Sequence, residues 1–80
     1  MLSPDDLPKA VGAALKQMRE QKGLTQEAVA EKAGVHITWV TQMERGYRNP
    51  TIISVAKIAA ALETSLVDVF ALAEEIGEKD

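Results

Sequence analysis

The sequence predicts a compact all-α fold of five short helices. Apolar residues recur at i, i+3, i+4 and i+7 in separate stretches along the chain. Glycines and prolines fall between those stretches at helix-length intervals. No stretch sustains the apolar–polar alternation of a strand. Eighty residues make one small domain, 1–80, with a marginal core that gains from apolar surface buried against a second copy.

The first segment runs from Pro8 to Lys22. Pro8 suits the first helical turn, where its missing N–H costs nothing. Val11, Ala14, Leu15 and Met18 form the stripe, and Gly23 is the expected stop. The second segment, Gln26 to Ala33, starts from Thr25 as N-cap, with Glu27 favourable to the helix dipole. Val29, Ala30 and Ala33 form its buried face, and Gly34 ends it.

The third segment is Ile37 to Arg45, stopped by Gly46. Val40 and Met43 point inward; Thr38, Thr41 and Gln42 lie off that stripe. The fourth, Ile52 to Leu62, follows Pro50 and the cap Thr51, with Val55, Ile58, Ala59 and Leu62 inward. The fifth, Leu66 to about Ile76, is capped by Ser65, with Asp68 three residues on. Leu66, Val69, Phe70, Ala73 and Ile76 form its apolar face. Met1–Leu7 and Gly77–Asp80 are expected outside the helices.

Composition removes whole classes of function. Without cysteine there is neither a disulfide framework nor a thiolate zinc site, and one histidine builds no metal site alone. No metal and no cofactor are expected. No acidic pair, phosphate-cradling loop or nucleophile elbow appears, so the chain reads as a non-enzyme. The apolar runs fall far short of the ~20 residues of a membrane span. The acidic start Met1-Leu2-Ser3-Pro4-Asp5-Asp6 has no apolar h-region, which makes the cytoplasm the expected compartment.

The informative stretch lies between Thr25 and Gly46. Two short helices are joined by a tight turn at Ala33-Gly34-Val35, where glycine lets the chain reverse. Ala30 is small enough for the second helix to cross close over the first. That is the requirement of a helix-turn-helix, here about residues 25–46.

The sequence resembles the Cro/repressor-type (XRE-like) helix-turn-helix family. The resemblance rests on Thr25-Gln26, Ala30, Ala33-Gly34-Val35, Glu44-Arg45-Gly46, Arg48-Asn49-Pro50-Thr51, Ile58-Ala59 with Leu62, and Ser65-Leu66 with Val69-Phe70. It covers about residues 9–72. It implies a lambda-repressor-like DNA-binding domain that reads double-stranded DNA operators as a homodimer. The short length and the Glu44-Arg45…Arg48-Asn49 run are similar to the controller proteins of restriction–modification systems.

The charge distribution fits that implication better than the total of −3 does. Residues 36–60 carry Arg45, Arg48 and Lys57 against Glu44, while the acid collects in residues 61–80. A DNA-facing surface needs local positive charge, not a positive sum.

The resemblance also assigns roles. Ile37, Thr38, Thr41 and Gln42 are the expected base readers. Gln42 suits adenine N6/N7, the threonines a base edge or a thymine methyl, and Ile37 only apolar contact. Gln26 resembles the family's phosphate clamp at a helix N-terminus. His36, Trp39, Arg45, Tyr47, Arg48 and Asn49 are the other expected backbone contacts. Glu44 is expected to pair with Arg19. The fifth helix, 66–76, is the expected dimerisation element, with Val69, Leu72, Ala73 and Ile76 at the interface.

The function so implied is an autoregulatory transcriptional regulator on near-palindromic operators, of the controller type in the narrower resemblance. Repression needs only occlusion, whereas activation calls for a contact with RNA polymerase. A second class is an antitoxin-type interaction protein that neutralises a partner and binds its own operator.

Overall fold

The computed structural model describes residues 2–47 and 50–79. A 3-10 turn at Pro4–Asp6 leads into α1 (Leu7–Gln21), followed by α2 (Gln26–Ala33), α3 (Ile37–Arg45), α4 (Ile52–Ala61) and α5 (Leu66–Lys79). The described residues are all-α, as the periodicity requires.

Local chemistry sets the helix starts. The hydroxyls of Thr25, Thr51 and Ser65 each accept a hydrogen bond at 3.0 Å, from the N–H groups of Ala28, Ser54 and Asp68. Each satisfies a donor that has no partner within its helix. His36 does the same for α3: its Nδ1 accepts from the Thr38 N–H at 3.2 Å.

The helix ends share one closure. The Val35 N–H donates back to the Ala30 carbonyl at 3.0 Å, and the Tyr47 N–H to the Gln42 carbonyl at 3.1 Å. Both need a left-handed residue, supplied by Gly34 and Gly46 at φ 70° and 71°. The same closure ends α4, where the Thr64 N–H reaches the Ala59 carbonyl at 3.0 Å. There the left-handed residue is Glu63, at φ 56°.

The core gathers around α1, which packs chiefly on α5 and α3, while α2 packs on α3 and α4. Val11, Leu15, Val29, Val40, Leu62 and Val69 are the largest fully buried side chains. Each such aliphatic contributes about 1.5–3 kcal/mol relative to leaving it exposed. The inward stripes expected of α1 to α4 supply most of this core.

The two ends of the chain depart from expectation. Helix α5 does not stop at Ile76 but runs through Gly77 to Lys79. Gly77 is a docking point rather than a terminator: a Cβ there would overlap the Leu2 side chain, which packs against the core. Leu7 already belongs to α1, and Pro4–Asp6 form a 3-10 turn.

The four interface residues expected on α5 are placed unequally, and two of them are corrected. Val69 and Ala73 are fully buried in the monomer, so neither is available to a partner. Leu72 and Ile76 are half-buried and pack on the same core. The reason is angular: residues 69, 73 and 76 follow one helical stripe, and α1 occupies it. Solvent meets Val67, Ala71, Glu74 and Glu78 instead.

Candidate nucleic-acid interface

Helix α3 is fixed to the body along one side and free along the other. Val40 and Met43 anchor it in the core. Gly12 allows the close approach to α1, since a Cβ there would overlap the Met43 carbonyl. At the end of α3, a Cβ on Gly46 would lie 2.7 Å from the Lys9 Cα. Backbone therefore meets backbone at two points, which holds α3 against α1 with little room to slide.

An ion pair fixes the same helix from the side. Arg19 donates from Nε to Glu44 Oε2 at 2.6 Å and from Nη2 to Oε1 at 3.1 Å, a two-pronged contact. Its Nη1 donates to the Leu24 carbonyl at 2.7 Å, which ties in the α1–α2 turn. The Glu44 side chain is only 5% exposed and that of Arg19 12%. Hydrogen bonding to Glu44 raises the Arg19 pKa above its ordinary value, although burial works the other way. The guanidinium stays charged at any physiological pH.

The Gln26 amide, at the start of α2, donates to Glu44 Oε1 at 2.9 Å. Nothing in the order of residues signals this bond. It places the expected phosphate clamp against the carboxylate that anchors α3.

The free side of α3 carries the residues expected to read bases, in graded positions. Thr38 is exposed, while Thr41 and Gln42 are half-buried on the same side. Ile37 sits at the edge and packs partly on the core. The Thr41 hydroxyl donates to the Thr38 carbonyl at 3.1 Å, which commits its proton and leaves its oxygen as an acceptor. The Thr38 hydroxyl lies 3.0 Å from His36 Nδ1.

The flanks are aromatic and basic. Trp39 is 46% exposed beside the reading edge and Tyr47 is 73% exposed beyond it. The Arg45 guanidinium lies 5.8 Å from the Tyr47 ring centroid, within cation–π range. Arg48 and Asn49 lie outside the described residues.

A second exposed surface is apolar. Leu7, Ile52 and Phe70 share a groove of about 200 Å³ with Pro4, Pro8, Val11, Pro50 and Val55. Ile52, Ile53 and Val67 are each at least 70% exposed. Ile52, Ile53 and Val67 stand off the inward stripes, so helical periodicity does not mark them. The signal available in sequence was the adjacent pair Ile52-Ile53, which one buried face cannot wholly absorb.

A tight two-helix turn, a projecting second helix with a polar edge, and basic flanks define a helix-turn-helix protein. The chain belongs to the Helix-turn-helix family (HTH_3), which matches residues 15–69, and falls in its XRE-type branch of DNA-binding transcriptional regulators. It is 39% identical over 70 residues to the HTH-type transcriptional regulator y4dJ of Sinorhizobium fredii, covering 88% of this chain and 91% of that one. It is 33% identical to the control protein C.SmaI of Serratia marcescens, over 76% of this chain and 73% of the relative. The fold matches the restriction–modification controller protein C.Esp1396I, solved as a tetramer with its natural 35-base-pair operator, at TM-score 0.80 and 36% identity. That match covers 86% of this chain and 91% of the other.

Among the described residues, no helix is long and apolar enough to cross a membrane.

Proposed function

We propose that this regulator binds near-palindromic operators as a homodimer and controls its own gene, in the manner of a restriction–modification controller. The observation that carries the reading is the projecting edge of α3, where Thr38, Thr41 and Gln42 stand between exposed Trp39 and Arg45. Side chains of this length and polarity suit base edges in a major groove. Gln26, Arg45, Tyr47 and His36 flank that edge and set the register on the phosphates. Arg48 and Asn49 join them by their place in the sequence.

The apolar surface at Leu7, Ile52, Ile53, Val67 and Phe70 supports the homodimer. Isolated exposed aliphatics are ordinary, but Leu7, Ile52 and Phe70 share one groove, and Ile53 and Val67 add exposed apolar area on the same two helices, α4 and α5, that supply Ile52 and Phe70. Two-fold symmetry then sets two copies of α3 about 34 Å apart, one turn of DNA. Kinship to control proteins favours this reading over an antitoxin, and occupancy of the operator by the dimer serves as the control signal.

Footprinting on the DNA upstream of the protein's own coding sequence tests the proposal. A symmetric protected region with half-sites one turn apart is expected. Uniform protection without a preferred site would contradict it.

A further inference from the structure

The Arg19–Glu44 pair has a third partner, and its geometry gives the pair work beyond stability. Glu44 Oε2 is taken by Arg19 Nε at 2.6 Å. Its Oε1 accepts from both Arg19 Nη2 at 3.1 Å and Gln26 Nε2 at 2.9 Å. A carboxylate only accepts, so the Gln26 amide must turn its nitrogen, not its oxygen, toward Glu44. Among the described residues, the second of its two side-chain N–H donors has no partner. The backbone N–H groups of Gln26 and Glu27 also lack partners within the helix, because they open α2. Thr25 covers only the N–H of Ala28.

We propose that Glu44 is a positioning residue for DNA binding: it holds the Gln26 amide in one orientation at the N-terminus of α2 and locks that end to α3. The phosphate clamp and the base-reading helix then meet DNA as one preset unit. This rests on the reading of Gln26 as a phosphate contact. The alternative arrangement, a free Gln26 amide, would have to be ordered on binding, and ordering a long side chain costs affinity. Among the described residues, no other hydrogen bond holds the Gln26 side chain, which sits half-buried where α1, α2 and α3 converge through Arg19, Leu24 and Glu44.

The test is a double-mutant cycle on operator affinity with Gln26→Met and Glu44→Gln. Gln26→Met keeps length and loses both donors. It is expected to weaken binding about tenfold, as loss of a charge-assisted hydrogen bond does, evenly across operator sequences and with the salt slope unchanged, because neither side chain carries a charge. Glu44→Gln is expected to weaken binding in the wild-type background and to add little once Gln26 is Met. If Gln26→Met leaves affinity unchanged, or weakens binding to the preferred operator alone, the phosphate reading falls. If it weakens binding but the two effects add, the phosphate contact stands and positioning by Glu44 is overturned. Should Glu44→Gln fail to fold, hydrogen exchange of the Gln26 side-chain amide in the free wild-type protein decides. One protected and one fast proton are expected; two equally fast protons overturn the proposal.

Discussion

Gly12 of α1 lies so close beneath the Met43 carbonyl of α3 that a side chain on the first would occupy the space of the second. Helix α3 rests directly on backbone at this point. Its angle to the body depends on a missing methyl group. Gly12→Ala should therefore push α3 outward. Overpacking of this kind costs about 1–3 kcal/mol, and the helix angle should change with it. Stability by chemical denaturation and operator affinity check this: both should fall, although Gly12 is buried beneath α3.

Arg19 and Glu44 pair where little solvent reaches them. Arg19→Met leaves a buried carboxylate with only Gln26 as partner, and should destabilise the fold by about 3 kcal/mol. Replacing both members with Met should cost less than replacing Arg19 alone, since no unpaired charge remains. Urea titration of the two variants measures the difference. Equal losses would show that the pair's charge is already well solvated.

Glu63 closes α4 in a left-handed conformation that glycine adopts freely. Glu63→Gly should stabilise the protein by about 0.5–1 kcal/mol, the relief of strain being partly offset by greater freedom of the unfolded chain. A rise of a few degrees in Tm is the expected reading. A fall would mean that the Glu63 side chain makes contacts worth more than the strain.

Val67 and Val69 stand two residues apart on opposite sides of α5. Val67 is 75% exposed and Val69 fully buried. Val67→Glu should give a folded monomer by sedimentation velocity, with helix content unchanged. Val69→Glu should unfold the chain, because it puts a charge into the core. A stable dimer carrying Val67→Glu would move the interface away from this face.

Gln42 stands on the free edge of α3. Gln42→Ala should cost about 1–3 kcal/mol on the preferred operator and relax preference at one base position per half-site. Competition binding against operators changed one base pair at a time reads this directly. An equal loss on every sequence would make Gln42 a backbone contact.

Much of this molecule can be read from its residues because local signals agree. Thr25, Thr51 and Ser65 announce their helices, Gly34 and Gly46 end theirs, and the 3.6-residue stripes name the core. The Arg19–Glu44 contact is legible only through family resemblance, since nothing in a 25-residue separation reveals it. The third partner, Gln26, escapes even that, because which side-chain donor reaches a buried carboxylate depends on how three helices meet. Helix α5 misleads for a physical reason. Eight apolar residues in eleven cover almost its whole circumference, so periodicity alone does not choose the side that α1 takes. Gly77 misleads differently: it reads as a stop, yet it serves close packing against Leu2. Glu63 takes a position for which glycine is the usual signal, so the end of α4 carries no mark in the sequence.

Selection of duplex DNA from a random library by the purified protein, at two salt concentrations, tests the central claim most directly. The account predicts an enriched near-palindrome whose half-sites lie one helical turn apart, retained at the higher salt. Sequence-blind binding that disappears with salt would contradict it.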